Sequence, residues 1–257
     1  MKFLKELRKI TQESKTALIF DEVITGFRIA PGGAQEYFGI RADIATYGKI
    51  IGGGLPIGVI AGSRQFLDAL DGGHWQFGDE SAPEVGLTYF AGTFVRHPLA
   101  LRAMREALLI LKEGGAELYN NINSKADEFV YELNLFSELM GAPITIDHFG
   151  GVLKPRFLDS GENYDLFFLI MRLKGVHCYD GFPWFITLAH TDEDLKFVIT
   201  KYKESILEMQ KMGFFPKANL ANELSELDYI EMQNKWEKTN SNKYLLDIFI
   251  YYAKQKG

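Results

Sequence analysis

The sequence predicts an α/β fold with a small α+β domain after it, and three observations support this. Short apolar segments at 16–20, 42–48 and 58–63 have the length and composition of buried strands. From Pro98 the apolar residues recur at helical spacing. After Gly141 strand-like segments return and alternate with helical ones.

The first part of the chain begins with a predicted amphipathic helix over 2–14. The segment "TALIF" (16–20) then forms a strand that ends on two acidic residues, Asp21 and Glu22. A second strand is "ADIATYG" (42–48), and a third is "GVIAGS" (58–63). Since loops or helical segments separate these strands, we expect a largely parallel sheet.

Two long helices follow. The first starts at Pro98, since proline is favoured in the first turn of a helix, and it ends at the glycines 114–115. The second covers about 116–139. We therefore predict that residues 1–139 form a first domain.

The next segment, residues 140–216, is predicted to be a small α+β domain. It contains strands and turns over 143–157, a buried helix in 164–175 and a strand in 184–189. A last helix starts after Thr191, which can cap it together with Asp194 three residues later. Residues 217–257 are more polar, and their pattern does not choose between a docking helix and a linker.

Composition excludes several classes of protein. The chain has 257 residues and a net charge of -6, which gives no electrostatic support for binding nucleic acid. It has one cysteine, Cys178, which we expect to be a small buried residue, and no paired metal-ligand spacing. No segment is apolar and long enough for a signal peptide or a membrane span, so we expect a cytoplasmic protein without membrane contact. We expect the histidines at 74, 148, 177 and 190 to be structural.

The residues that could take part in a reaction lie where the predicted strands end. Asp21 follows the first strand, and Lys49 follows the second, next to Gly52, Gly53 and Gly54. In α/β sheets ligands bind beyond the carboxyl ends of the strands. A lysine and a carboxylate at such an edge suit pyridoxal phosphate (PLP), which needs an amine for covalent attachment and a carboxylate beside its pyridine nitrogen.

Two segments, "LIFDEVITGFR" and "ADIATYGKIIGGGLPIG", resemble the class III, fold-type I, PLP-dependent aminotransferases. The resemblance implies that Asp21 binds the pyridine nitrogen, that Val23 packs on the ring face and that Lys49 is the Schiff-base lysine. In "YFAGTFVRHPLALRA" it implies that Thr93 binds the cofactor phosphate across a dimer interface. The implied activity is amino-group transfer from an amino donor to a keto acceptor.

Within this family the segment "GGAQEYFGI" is similar to the glutamate-1-semialdehyde aminomutase branch. The segments "HWQFGDESAPEVGLTYF", "TFVRHPLAL" and "FITLAHTDEDL" are closer to aminotransferase domains of nonribosomal peptide and polyketide synthases. Those domains aminate a β-keto acyl chain held on a carrier protein. The resemblance therefore favours a carrier-bound acceptor, with glutamate-1-semialdehyde 2,1-aminomutase as the alternative.

The resemblance covers about 3–216, whereas family members are much longer. It implies that this sequence is the carboxyl-terminal part of the fold, with residues 1–139 as a partial PLP-binding large domain. In family members the preceding segment supplies a phosphate-binding turn, a ring-stacking aromatic residue and several strands. A second alternative follows, namely a non-catalytic fragment or half of a split enzyme that needs a partner chain. A sheet cut at this point exposes a strand edge, which can pair with another chain.

Purely structural roles remain open for several residues. Asp21 could cap a helix, and Thr93 could be a plain turn hydroxyl. Glu22 could orient a neighbouring group or form a structural salt bridge, and we expect the structural role. Arg96 and His97 could face a carrier arm or substrate, or belong to a polar loop that caps the Pro98 helix. The aromatic segment 177–185 could line the substrate side of the small domain or belong to its core.

Overall fold

The computed structural model describes residues 2–216 except 71, 74, 85 and 87. Contacts divide the chain into two compact units, with the division between Asn121 and Ile122. This division falls inside a long helix, and the boundary that we place at 139 from the sequence stays a prediction. Residues 217–257 and His74 lie outside the described residues, so the predictions for them stay as they are.

In the first unit a helix precedes each of the first two strands. The elements are α1 (Lys2–Glu13), β1 (Ile19–Asp21), α2 (Gly33–Phe38), β2 (Ile44–Gly48), a 3-10 turn (Lys49–Gly52), β3 (Gly58–Gly62), α3 (Arg64–Leu67) and a second 3-10 turn (Asp68–Leu70). The predicted first helix is confirmed. β1 starts later than predicted because residues 14–16 close α1, with the Thr16 N–H donating to Thr11 O at 2.9 Å.

The three strands form one sheet in the order β1-β2-β3. β1 and β2 are parallel, with Ile19 opposite Ile44 and Asp21 opposite Thr46. β2 and β3 are antiparallel, so the expectation of a largely parallel sheet is wrong for β3. Residues 49–57 connect these two strands, and a parallel crossover needs a dozen or more residues.

One ion pair fixes the start of this sheet to α1. Arg8 Nη1 lies 2.6 Å from Asp43 Oδ2, and the same carboxylate oxygen accepts the Leu18 N–H at 2.8 Å. The Arg8 guanidinium holds the pKa of Asp43 below its ordinary value. These bonds join the residue before β1 to the residue before β2, so the two strands start in register.

A long helical segment, α4 (Pro98–Leu139), follows. Inside it Gly115 has φ 50° and ψ -149°, which is not helical. Two consecutive helices therefore meet at this glycine, as predicted. The segment begins at Pro98. Proline has no backbone N–H, and in the first turn of a helix an N–H would have no acceptor within the helix, so no hydrogen bond is lost there.

The second unit is a small α+β structure, as predicted. It contains β4 (Ile144–Phe149), β5 (Val152–Phe157), α5 (Leu166–Leu173), β6 (Trp184–Phe185) and α6 (Asp192–Lys211). The strands are antiparallel in the order β4-β5-β6. Its core is built from apolar side chains of the last part of α4, of α5 and α6, and of the sheet: Leu133, Ile144, Ile146, Leu153, Phe167, Met171, Ile206 and Met209.

Local hydrogen bonds set the limits of the last elements. Thr191 and Asp194 form the predicted capping box, with the Asp194 N–H donating to Thr191 Oγ1 at 3.1 Å. β6 has two residues instead of the predicted six, because Thr187 turns the chain by donating its N–H to His190 Nδ1 at 3.1 Å. His190 is thus structural, as expected. Among the described residues, no helix is apolar and long enough to cross a membrane.

Candidate functional site

The candidate site lies at the carboxyl ends of β1 and β2. Asp21 is the last residue of β1 and pairs with Thr46, and Lys49 follows three positions after Thr46. Because the strands are parallel, both residues leave the sheet at the same edge. Both are exposed. The structure thus brings together two of the predicted residues at the edge where α/β folds bind ligands.

The Asp21 carboxylate is oriented by two donors. The Val23 N–H donates to Asp21 Oδ1 at 3.0 Å, and Thr46 Oγ1 donates to the same oxygen at 3.3 Å. Among the described residues, Oδ2 has no hydrogen-bond partner. One oxygen is therefore fixed to the protein, while the other can accept a bond from a ligand.

Lys49 stands in an unusual backbone conformation. Its φ is 50°, in the left-handed region that costs a side-chain-bearing residue free energy. It opens the 3-10 turn, which ends at Gly53 with φ 58°. Within the described part of the chain its amine has no hydrogen-bond or ion-pair partner. Strained residues cluster at functional sites, and a free amine in such a place is a candidate for chemistry.

Val23 lies beside the residue that precedes Lys49. A Cβ placed on Gly48 would be 3.5 Å from Val23 Cγ1, which is ordinary van der Waals contact. Val23 is half-buried, so it presents an apolar surface next to Asp21 and Lys49. Such a surface suits the face of a flat ring.

Glu22 has the expected structural role, but it forms hydrogen bonds with uncharged groups instead of a salt bridge. Its side chain is 1% exposed. Its carboxylate accepts the Ala34 N–H at 3.0 Å and the Gln35 N–H at 2.9 Å, and it also accepts the Thr25 hydroxyl. Gly33 lets the chain pass close by, since a Cβ there would be 2.6 Å from Glu22 Oε2. Glu22 therefore holds the first turn of α2 against the segment that follows Asp21.

A second contact connects α2 to the strand that leads to Lys49. Gln35 Nε2 donates to the Tyr47 hydroxyl at 3.1 Å. Burial raises the pKa of Tyr47, and the negative charge of Glu22 adds to this effect. Tyr47 and Thr46 were not predicted as site residues. Strand alternation could have identified Thr46, because it shares a row with Asp21.

Thr93 lies exposed in a turn before α4. None of the hydrogen bonds among the described residues joins it to Asp21, Val23 or Lys49. The predicted role at a phosphate across a dimer needs a second subunit, so it stays a prediction. The structure shows His97 as a cap of the helix that follows, since its Nδ1 accepts the Ala100 N–H at 3.4 Å. Arg96 lies over the Phe90 ring at 5.7 Å from its centroid.

The aromatic segment 177–185 is buried only in part, and its expected place on the substrate side stays a prediction. Cys178 is buried, as predicted, and burial raises the pKa of its thiol to about 11. Tyr179 and Phe182 are mostly exposed and contact each other with ring centroids 5.7 Å apart. The core prediction is therefore correct for Cys178 and wrong for these two rings.

The donor set at the strand ends fits PLP. The free amine of Lys49 suits an aldehyde, the unpaired Oδ2 of Asp21 suits a protonated ring nitrogen, and Val23 suits a ring face. Among the described residues no cluster of histidine, cysteine and acidic side chains could hold a metal ion.

The sequence profile of the family described as "Aminotransferase class-III" matches residues 1–193. The chain belongs to this family. Class III aminotransferases use PLP, so the predicted cofactor is confirmed at the level of the family.

Relatives by sequence support the same family, and similar solved structures support its fold. The chain is 37% identical over 220 residues to the glutamate-1-semialdehyde 2,1-aminomutase of Ruminiclostridium cellulolyticum, a match that covers 80% of this chain and 48% of that protein. The fold is similar to a β-phenylalanine aminotransferase from Variovorax paradoxus, with a TM-score of 0.70, 22% identity, and coverage of 84% and 50%. It is also similar to a glutamate-1-semialdehyde aminomutase of Pseudomonas aeruginosa PAO1 in complex with PMP, with a TM-score of 0.64, 21% identity, and coverage of 80% and 48%. These likenesses confirm fold-type I, and the chain spans about half the length of the relatives it matches.

Proposed function

We propose that this chain provides the lysine and aspartate of a PLP-dependent transaminase. The observation that carries the proposal is the register of β1 and β2, which brings Asp21 and the free amine of Lys49 to one sheet edge. When bound, the cofactor supplies an electron sink for the carbanion that forms when the substrate loses its proton.

Each predicted residue would then have a defined role. Lys49 Nζ would hold the cofactor covalently and, once an amino donor has taken its place, would serve as general base and acid for the substrate's proton. Asp21 Oδ2 would hold the protonated pyridine nitrogen, and Val23 would pack on the ring face. In a homodimer Thr93 Oγ1 would bind the phosphate of the neighbouring subunit's cofactor.

For the acceptor we propose a keto group on an acyl chain held by a carrier protein. The support is the sequence around Thr93, "TFVRHPLAL", which resembles aminotransferase domains of peptide and polyketide synthases. The second candidate is glutamate-1-semialdehyde 2,1-aminomutase, because relatives with 35–37% identity carry this name.

The first test is an absorbance titration of the purified chain with PLP. The proposal expects a visible band of lysine-bound cofactor that Lys49→Ala lacks and that an amino donor removes. Lys15→Ala is a matched control, since Lys15 is also exposed and has a positive φ of 55°. A band that persists in Lys49→Ala, or that Lys15→Ala also loses, contradicts the role of Lys49.

The identity of the keto acceptor is tested with a preparation of the chain that has been shown to bind PLP. We expect donor turnover with a β-keto acyl thioester and none with glutamate 1-semialdehyde. The reverse preference identifies the aminomutase, and a chain that binds no PLP alone is the non-catalytic or split alternative.

A further inference from the structure

The turn that carries Lys49 needs support from the residues around it. Lys49 has a φ of 50°, a strained conformation that persists only where neighbouring structure holds it. Two backbone hydrogen bonds close the turn, from the Gly53 N–H to Ile50 O at 3.3 Å and from the Leu55 N–H to Gly52 O at 3.1 Å. Both bonds are local, so they close the turn without fixing its place at the sheet edge.

Tyr47, two positions before Lys49, is held at its ring. The centroids of the Tyr47 and Phe27 rings lie 5.4 Å apart. The ring also lies against Gly26, since a Cβ placed there would be 2.6 Å from Tyr47 Cδ1. Phe27 has a φ of 57°, and its carbonyl accepts the Tyr119 hydroxyl at 3.1 Å. The loop after β1 therefore presents a fixed surface to the Tyr47 ring.

The Tyr47 hydroxyl is held by Gln35, whose side chain forms hydrogen bonds at both ends of its amide. Gln35 Nε2 donates to the hydroxyl at 3.1 Å, while Gln35 Oε1 accepts the Ala42 N–H at 2.9 Å. The backbone N–H of Gln35 donates to Glu22 Oε1 at 2.9 Å, and Glu22 is buried. Gln35 thus joins the segment after β1, the segment before β2 and the end of β2.

These contacts lie behind the candidate ligand site. Side chains alternate along a strand, so Tyr47 points away from the face that Asp21 and Thr46 share. Among the described residues, no hydrogen bond joins Gln35 or Tyr47 to the Lys49 amine. An effect of Gln35 on Lys49 must therefore pass through Tyr47 and the backbone that follows it.

We infer that Gln35 is a positioning residue for Lys49 and that it acts through the Tyr47 hydroxyl. The hydrogen bond fixes the end of β2 against α2, and the turn with Lys49 begins two residues later. The inference deepens the proposed function and rests on it only for the role of Lys49 toward the cofactor. If Gln35 merely stabilised the unit, its loss would loosen both ends of β2 equally.

The first test needs no cofactor. Tyr47→Phe keeps the ring and removes only the hydroxyl, and amide hydrogen exchange of the full chain is followed by NMR without PLP. We expect the Gly53 and Leu55 amides to exchange about fivefold faster, the ratio that the loss of one neutral hydrogen bond gives. The Asp43 amide, which donates to Leu18 O at 2.9 Å just before β2, should exchange as in the parent chain.

Gln35→Met is the second variant, because it removes both amide hydrogen bonds and keeps a side chain of similar length. The double variant with Tyr47→Phe should exchange at Gly53 no faster than Gln35→Met alone, since residues that act through one bond are not additive. Tyr202→Phe is the matched control. It removes a buried hydroxyl contact of 2.7 Å with Ser137 in the second unit and should leave the Gly53 amide unchanged. Circular dichroism checks that each variant is folded.

The absorbance band of lysine-bound PLP gives a separate readout. We expect Tyr47→Phe and Gln35→Met to need about fivefold more PLP for half of the band, whereas Tyr202→Phe should titrate like the parent chain. A parent chain without such a band contradicts the proposed function, and the exchange data decide this inference in either case. Equal acceleration at Gly53 and Asp43, unchanged exchange at Gly53, or additive effects in the double variant overturns the inference.

Discussion

Replacing Lys49 by glycine should stabilise the fold while it removes the proposed cofactor amine. Lys49 has a φ of 50°, and the left-handed region costs an L-residue about 1–2 kcal/mol. Glycine avoids this cost, but its greater freedom in the unfolded chain takes back about 0.5–1 kcal/mol. At the midpoints of these two ranges the net gain of Lys49→Gly over Lys49→Ala should therefore be about 0.75 kcal/mol.

The comparison with alanine isolates the backbone, since both variants lose the amine and only one keeps the strain. The assay is equilibrium unfolding in urea, followed by circular dichroism. With a slope of about 2 kcal/mol per molar urea, the midpoint of Lys49→Gly should lie about 0.3–0.5 M above that of Lys49→Ala.

Lys15 supplies the matched control for this prediction. It has a φ of 55° and is exposed, but it lies just after α1, where a left-handed residue is a common way to end a helix. Lys15→Gly should show the same gain over Lys15→Ala and leave PLP binding unchanged. If Lys15→Gly gains stability and Lys49→Gly does not, the backbone at Lys49 is not strained and this argument for a functional lysine is refuted.

Two further predictions concern buried groups. Glu22→Ala should lower the free energy of unfolding by about 2–6 kcal/mol in urea titrations, since it leaves the buried N–H groups of Ala34 and Gln35 without their acceptor, at about 1–3 kcal/mol each. A loss below about 1 kcal/mol would contradict this role. Cys178 should react with iodoacetamide about 200-fold more slowly at pH 8 in the folded chain than in urea, because a raised pKa of about 11 leaves less thiolate, and the rate should rise as the pH approaches 11; equal rates in both states would contradict it.

Features that depend on residues close together in the sequence could be predicted from it. The capping box of Thr191 and Asp194 needs only two residues three positions apart, and α1 needs only its apolar spacing. Asp21 and Lys49 could be predicted to meet because parallel strands end at one edge, whatever lies between them.

Contacts between segments far apart in the sequence could not be predicted. Glu22 reaches the first turn of α2, at Ala34 and Gln35, only after the loop between them has folded. Its acidic side chain alone gives no sign of that partner. β6 is shorter than predicted for a different and local reason, since the Thr187 N–H donates to His190 Nδ1 and the resulting turn ends the strand within an apolar run.

Ile19 and Ile60 are exposed, although the sequence pattern predicts that they are buried. An apolar strand without alternation indicates burial on both faces of the sheet, and by that rule neither side chain should be exposed. Local structure followed the pattern, because β1 and β3 formed where expected, but the covering layer is absent from the described residues. The amino-acid pattern therefore specifies an environment larger than the described residues provide. The proposed role of Thr93 has the same dependence, since a phosphate ligand across an interface would require a second subunit. The register of β1 and β2 alone brings Asp21 and Lys49 to one sheet edge, whereas no hydrogen bond among the described residues joins Thr93 to either of them.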